Sequence, residues 1–309
     1  MRSFDPVQLG SIELFCRAAE LHSFTAAAEV LGLTPASVSR SISRLEARLG
    51  VRLFARTTRN IRLTNEGEIY YRQCQQALEQ ISEAERLITG TQKIPSGRLR
   101  VSVGTPYAHH RLLPLLPRFQ AEHPQIELDI SIANRVIDFV DEGFDLAIRL
   151  GTPKDSSLIA HKLEDATLGI FASPDYLRRR GRPVTLDDLD QHDCIRFILP
   201  SSGKPMPWEF HDENGQPVDI NVKSPYSVSD DVLGAVSWAV AGGGLFQFYH
   251  FIAESALYRN ALTEVLQNYG GRSRQFSILY PQNRHLSARV RAFVDFLRRE
   301  IPGTRQRDG

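Results

Sequence analysis

Residues 34–50, TPASVSRSISRLEARLG, read as a helix with two unlike faces. Val38, Ile42, Leu45 and Leu49 recur at steps of four, three and four, which places them on one side of a 3.6-residue helix. Arg40, Arg44 and Arg48 recur every four residues and line up along another side. Ser37, Ser39, Ser41 and Ser43 fall between them and add little bulk. Thr34 is a residue type that caps a helix N-terminus, and Pro35 in the first turn forfeits no hydrogen bond. The apolar side predicts attachment to a domain; the cationic, thinly covered side predicts close approach to phosphates or to guanine edges.

Upstream, Leu9, Ile12, Phe15, Cys16 and Ala19 keep helical spacing over residues 9–21, ending near His22. Ser23 caps FTAAAEVLG, whose alanines let another helix come close. Gly32 then ends it in the left-handed conformation glycine reaches most easily. Two short helices joined by Gly32-Leu33, the second amphipathic and basic, describe a helix-turn-helix. In that motif the second helix lies in the major groove with its N-terminal residues toward the bases. Downstream, residues 51–64, VRLFARTTRNIRLT, predict a two-stranded wing whose polar turn at 57–60 carries Arg59, with Arg56 beside it.

From Arg40 to Arg62 seven arginines stand against the single acid Glu46, a net of +6 inside a chain whose total is +1. Charge alone leaves a nucleic-acid surface and a solvated helix face both open. Thr64 caps a long helix over 65–89. There Tyr70, Cys74, Ala77, Ile81, Ala84 and Ile88 alternate steps of four and three, a heptad seam. The stripe could pack on its own domain, but a helix this long needs somewhere to bury it, and a dimer seam is the favoured expectation.

The 309 residues, 42% hydrophobic and 24% charged, exceed what a single core usually organises. Cys16, Cys74 and Cys194 are far apart with no metal-ligand spacing, so neither zinc nor a disulfide framework is expected. No signal-peptide pattern precedes Leu9 and no apolar run approaches the ~20 residues of a membrane span, so a cytoplasmic location is expected. QKIPSG at 92–97 is the natural hinge. Beyond it, strand-like runs alternate with helical ones. RLRVSVG leads to a helix with Leu112, Leu115, Leu116 and Phe119; IELDISIA leads to a short helix over 136–142; FDLAIRL follows. A second set starts near Thr167 with TLGIFASP, a helix around Tyr176 and CIRFIL. It continues through a hairpin turning near Asn214-Gly215 to a helix capped by Ser229 and stopped by glycines, then LFQFYH. RQFSILYP and the amphipathic ARVRAFVDFLRREI return to the first set. Near-continuous apolar strands between helices predict parallel sheets covered on both faces.

Residues 23–67, SFTAAAEVLGLTPASVSRSISRLEARLGVRLFARTTRNIRLTNEG, resemble the winged helix-turn-helix of LysR-type transcriptional regulators. The family's alanine pair is matched by Ala27 and Ala28, and its serine-arginine by Ser39 and Arg40. The run into the wing is matched by Leu45, Glu46, Leu49, Gly50, Leu53, Phe54, Arg56 and Thr57, and the start of the linker helix by Leu63, Thr64 and Gly67. The resemblance implies an α/β protein: a winged helix-turn-helix over 1–64, a linker and dimerisation helix over 65–90 and a hinge over 91–97. A two-lobed, periplasmic-binding-protein-like effector domain follows over 98–309, with lobe 1 at about 98–165 and 268–309 and lobe 2 at about 166–267. It implies a sequence-specific regulator, dimeric or tetrameric, whose partners are double-stranded promoter DNA and a small-molecule effector. Thr34, Pro35, Ala36, Ser37, Ser39 and Arg40 would lie nearest the bases, with Arg44, Arg56 and Arg59 on phosphate or in the minor groove.

By topology the effector pocket falls to Thr105, Pro106, Asn134, Arg149, Ser229 and Asp230. Arg149, closing an apolar strand, suits an anionic ligand or a surface ion pair. Asp230 suits a helix N-terminus or a cationic ligand group. Where many relatives carry a proline after the glycine-rich turn, this chain has His250, which bears on the shape of the pocket wall. His109 and His110 diverge by about 100° on a helix and read as surface histidines. Gly242–Gly244 lack phosphate-loop spacing, and no nucleophile elbow, P-loop or HExxH occurs. No enzyme, cofactor or metal is therefore expected. The alternative is a solute-binding module whose N-terminal helices mediate protein contacts only; the arginine-rich helix and wing argue against it.

Overall fold

The computed structural model describes residues 6–56, 61–89, 94–135, 137–151, 157–200, 202–254, 260–282 and 286–301. The chain divides into two compact units, with the main boundary between Lys93 and Ile94.

The first unit opens with α1 (Pro6–Glu20), α2 (Phe24–Val30) and α3 (Pro35–Leu49). The caps follow the sequence: Ser23 Oγ accepts from the Ala26 amide at 3.2 Å and Thr34 Oγ1 from the Ser37 amide at 3.3 Å. Gly32 and Gly50 take φ of 65° and 73°, the left-handed turns that stop α2 and α3. Phe15, Ala18, Ala27, Ala28, Val38 and Ile42 are fully buried, so the two small alanines let three helices share one core. The wing strands β1 (Phe54–Arg56) and β2 (Ile61–Leu63) pair antiparallel; its turn, with Arg59, lies outside the described residues. Thr64 Oγ1 accepts from the Gly67 amide at 3.0 Å and starts α4 (Asn65–Thr89).

The heptad seam on α4 proves to be split. Cys74 is buried and Tyr70 and Leu78 pack on the core of their own unit, Tyr70 with its ring 5.4 Å from Phe15. Ala77 is exposed and Ile81 is 44% exposed; the side chains of Ala84 and Ile88 lie outside the described residues. The stripe thus serves two purposes, because α4 starts against α1 and then runs past it.

In the second unit β3 (Gly97–Val103) leads to α5 (Thr105–Tyr107), a π-helical turn Ala108–Leu112, a 3-10 turn Leu113–Leu115 and α6 (Leu116–Glu122). One helix over this stretch is the wrong expectation. Pro114 and Pro117 supply no amide hydrogen, so the i to i−4 ladder cannot run through them. Next come β4 (Ile126–Ile132), α7 (Phe139–Glu142), β5 (Leu146–Leu150), β6 (Leu158–Ala172) and α8 (Pro174–Arg180). Val136, where the short helix was expected to begin, is outside the described residues. After β7 (Arg196–Ile198), the hairpin of β8 (Trp208–His211) and β9 (Pro217–Ile220) turns at Asn214-Gly215 as expected, with Gly215 at φ 75°. β10 (Ser227–Ser229), α9 (Val232–Val240), β11 (Phe246–Tyr249), α10 (His250–Ala253), β12 (Thr263–Val265), β13 (Ser273–Pro281) and α11 (Ala288–Glu300) complete the chain.

The main sheet runs β11-β6-β13-β5-β3-β4, with β12 also on β6. Parallel pairing, expected throughout, holds for β4, β3 and β5 and for the separate pair β7 and β10. β13 is antiparallel to both β5 and β6, because it returns from the second lobe to the first and enters the sheet in the opposite sense. α11 closes the first lobe: Phe293 and Phe296 set their rings 4.9 and 5.2 Å from Phe119 of α6. Ser229 does not cap α9. It ends β10, Asp230 turns the chain at φ 63°, and the Asp231 carboxylate accepts from the Leu233 amide at 3.0 Å.

Gly67 supplies a test of this packing. A Cβ there would lie 2.0 Å from the Leu53 carbonyl oxygen, which is itself held by the Thr64 amide at 3.0 Å. Gly67→Ala is expected to destabilise the first unit by about 1–3 kcal/mol. Hydrogen exchange on the full chain should show faster exchange confined to α1–α4 and the wing.

Candidate functional site

α3 buries Val38, Ile42 and Leu45 and presents Pro35, Ala36, Arg40 and Arg44 to solvent, with Thr34 exposed at its cap. Ser37 and Ser39 are half-buried. Arg40 Nε donates to the Ala36 carbonyl at 3.2 Å, so its guanidinium lies along the N-terminal half of the helix. Two details depart from the sequence reading. Ser41 shares a 3.0 Å hydrogen bond with Ser11 of α1, so it faces the domain instead of the open side. Leu49 is 37% exposed; the position that completes the buried face is Glu46, 4% exposed.

Glu46 is the residue that sequence reasoning missed. One carboxylate oxygen accepts from the Leu53 and Phe54 amides at 2.8 and 3.1 Å, and the other pairs with Arg52 at 3.0 Å. Burial works against the charge, but the two amides and Arg52 outweigh it and hold the carboxyl below the usual glutamate value. The signal was one acid inside an otherwise basic stretch, at a position in register with the apolar face. Arg52 is thereby committed to Glu46. On α4, burial and the neighbouring Cys74 thiol push the Tyr70 hydroxyl up to about 12. Arg40 and Arg44 have no carboxylate partner among the described residues. The field on the exposed side of α3 therefore includes theirs.

The second unit holds a cavity of about 690 Å³ between its lobes, within the range of small-molecule sites. Pro106, Asn134 and Arg149 line it, at the carboxyl ends of β3, β4 and β5. Thr105, Ser229 and Asp230 are not on its wall. Thr105 instead fixes Asn134: its amide donates to Asn134 Oδ1 at 2.9 Å, and Asn134 Nδ2 donates to its hydroxyl at 3.0 Å. Asp230 offers its backbone carbonyl, not its carboxylate, to Asn134 Nδ2 at 2.6 Å. Arg149 Nη2 donates to the buried Ser102 hydroxyl at 2.6 Å and Nη1 to the Ile148 carbonyl at 2.9 Å, which orients the guanidinium.

Lining residues the sequence gave no signal for are Phe197, Trp208, Gln247 and Arg274. They lie on separate strands of three different sheets, and only tertiary packing gathers them. Arg274 Nε pairs with Glu209 at 2.6 Å, and its other nitrogens contact the Met206 sulfur and the Pro207 carbonyl. His250 is not on the wall. Its Nε2 meets Glu264 of β12 at 2.8 Å, and β11 up to Tyr249 supplies the surface instead.

Comparison with known proteins agrees with both halves. Residues 9–68 match the model of the bacterial regulatory helix-turn-helix protein, lysR family, and residues 92–302 match the LysR substrate binding domain. The chain is 36% identical over 291 residues to the HTH-type transcriptional repressor PA14_22550 of Pseudomonas aeruginosa, covering 94% of this chain and 91% of that one. It is 32% identical over 291 residues to the HTH-type transcriptional regulator CrgA of Neisseria meningitidis, covering 94% and 96%. The structure of CrgA aligns with a TM-score of 0.60 at 31% identity over 95% of this chain and 98% of that one. The full-length Vibrio cholerae virulence activator AphB aligns at 0.57 and 26% identity, over 94% and 98%. The chain belongs to the LysR family of transcriptional regulators. It is a DNA-binding regulator that carries an effector-binding domain.

Glu46→Ala would leave the Leu53 and Phe54 amides without their acceptor, at a cost of about 1–3 kcal/mol for each buried group. Because the folded carboxyl sits below 4.5, its stabilisation is complete above that pH and is lost as pH falls through the folded value. Urea denaturation from about pH 3 to 7 should show this loss in the wild type. Glu46→Gln, which cannot ionise, should lack that component.

Proposed function

We propose that Thr34, Pro35, Ala36, Ser37, Ser39 and Arg40 form the base-facing end of the recognition helix, with Arg44, Arg56 and Arg59 on phosphate or in the minor groove. The observation that carries this reading is the arrangement of α3, whose buried face leaves Arg40 and Arg44 exposed and without carboxylate partners among the described residues. Positive charge at the groove-entering end meets the two requirements of duplex recognition, phosphate neutralisation and donors to guanine. The regulator works in the cytoplasm on promoter DNA, as a dimer held by α4 or a dimer of such dimers, without catalysing a reaction. The cavity between the lobes is its effector site, with Pro106, Asn134 and Arg149 on the ligand side and Thr105 and Asp230 acting through Asn134.

Two experiments test this. Arg40→Ala should cost about 1–3 kcal/mol on an operator selected from genomic fragments and much less on random DNA. Arg59→Ala should weaken both DNAs alike and flatten the salt dependence by about one unit of slope. Electrophoretic shifts across a salt series measure both, and equal losses for Arg40→Ala on the two DNAs would reduce it to a phosphate anchor. Ile81→Asp places a charge on the exposed part of the α4 stripe, which the core of its own unit does not use. The mutant should dissociate in analytical ultracentrifugation and bind the operator weakly, because two recognition helices need fixed spacing. Wild-type mass and affinity would remove α4 from the interface.

A further inference from the structure

We infer that the effector cavity takes an amphipathic organic anion: one bulky apolar body, aromatic or long-chain, ending in a single carboxylate-like head. This rests on the reading of the cavity as the effector site and specifies the ligand's chemistry. The second lobe contributes Phe197, Trp208, Phe246 and Phe248 to the wall, and the first contributes Ile148 and Phe276. Such a surface rewards burial of apolar area and penalises hydroxyls that find no partner.

The polar side chains on the wall decide against sugars and other polyhydroxylic ligands. Asn134 already spends its oxygen on the Thr105 amide and its NH2 on the Thr105 hydroxyl and the Asp230 carbonyl. Gln247 spends its oxygen on the Glu209 amide at 2.8 Å and its NH2 on the Glu209 carbonyl at 2.9 Å. Both amides hold the protein together and have little left to offer a ligand. The charged side chains decide the sign. Arg135, Arg149 and Arg274 line the cavity, and no aspartate or glutamate does among the described residues. A free amino acid or a cation would find no counter-ion on that wall.

The positive charge is also placed at one end. Arg274 pairs with Glu209 on the second lobe's hairpin, and Arg149 and Arg135 are neighbours at the strand ends of the first lobe, with Arg149 Nη2 3.5 Å from the Arg135 carbonyl. A guanidinium carries five donors, so Arg149 can meet a ligand carboxylate besides its bonds to Ser102 and the Ile148 carbonyl. The apolar body then extends toward the phenylalanines and Trp208 of the second lobe.

The test uses three fluorescent probes of one shape on the full-length protein: pyrenebutyrate, the neutral pyrenebutanol and the cationic pyrenebutylamine. The expected result is saturable binding of the acid, on the order of tenfold tighter than the alcohol, with the amine weakest. Arg149→Gln should bring the acid close to the alcohol's affinity without changing the alcohol. Arg135→Gln, at an exposed position, should do the same more weakly. Leu150→Trp fills the cavity from a position that is 40% exposed and should weaken both acid and alcohol. Equal affinity for acid and alcohol, or preference for the amine, overturns the anionic head. No saturable binding of any probe overturns the apolar body, and binding unchanged in Leu150→Trp places the probes elsewhere and overturns the assignment. Failure of the effector reading looks different. The acid would bind by all these criteria while operator affinity stays the same with and without it, leaving the cavity's chemistry as inferred but not its regulatory role.

Discussion

The antiparallel ladder between β6 and β13 is the constraint on which the second unit depends. Every residue of β13 pairs with β6, from Ser273 opposite Thr167 to Pro281 opposite Leu158, with a bulge between Phe276 and Ser277. At its far end β6 still has edges for β11 and β12, while β13 has its other edge on β5. One pair of strands therefore fastens both lobes. The cavity walls hang from it: Phe276 and Arg274 belong to β13, Arg149 to the strand beside it, and Phe246 and Phe248 to the strand on β6. Beside this ladder the two lobes share one hydrophobic core, Tyr107 setting its ring 6.1 Å from that of Phe251 and 4.5 Å from that of Phe276.

The first unit solves a different problem with one side chain. A recognition helix must hold still while half its surface stays bare, and the wing must keep its position beside it. Glu46 meets both needs by turning its carboxylate to the two amides that lead into β1 and to Arg52. The acid that would otherwise dilute the basic surface is thereby removed from it, and its charge is matched by Arg52. Of the run of arginines, those that serve structure and those left for a ligand are separated by packing.

Polar side chains on the cavity wall show the same division. Asn134 and Gln247 look like ligand-binding groups in a list of residues, but their hydrogen bonds are internal, the first reaching the Asp230 carbonyl and the second clamping β8 onto β11. Asp230 at φ 63° keeps a conformation that an L-residue adopts only when its surroundings hold it there, and the Asn134 bond is one such hold.

The sequence by itself determined the local features: the caps at Ser23, Thr34 and Thr64, the glycine stops, the helix-turn-helix with its wing, the β8–β9 turn and the alternation that makes two α/β lobes. These rest on interactions within a few residues or on periodicity, which a linear string records. It also carried the resemblance that placed the whole chain in its family. Only the tertiary structure decided that Glu46 is buried, that Ser41 faces α1, that Tyr70 and Cys74 leave the seam for their own core, and that Asp231 caps α9 instead of Ser229. It alone brought Phe197, Trp208, Gln247 and Arg274 to one wall. The physical reason is common to all of these. Each depends on which distant backbone groups and side chains arrive nearby, and sheet order and helix packing set that across dozens of residues, beyond the reach of any local pattern.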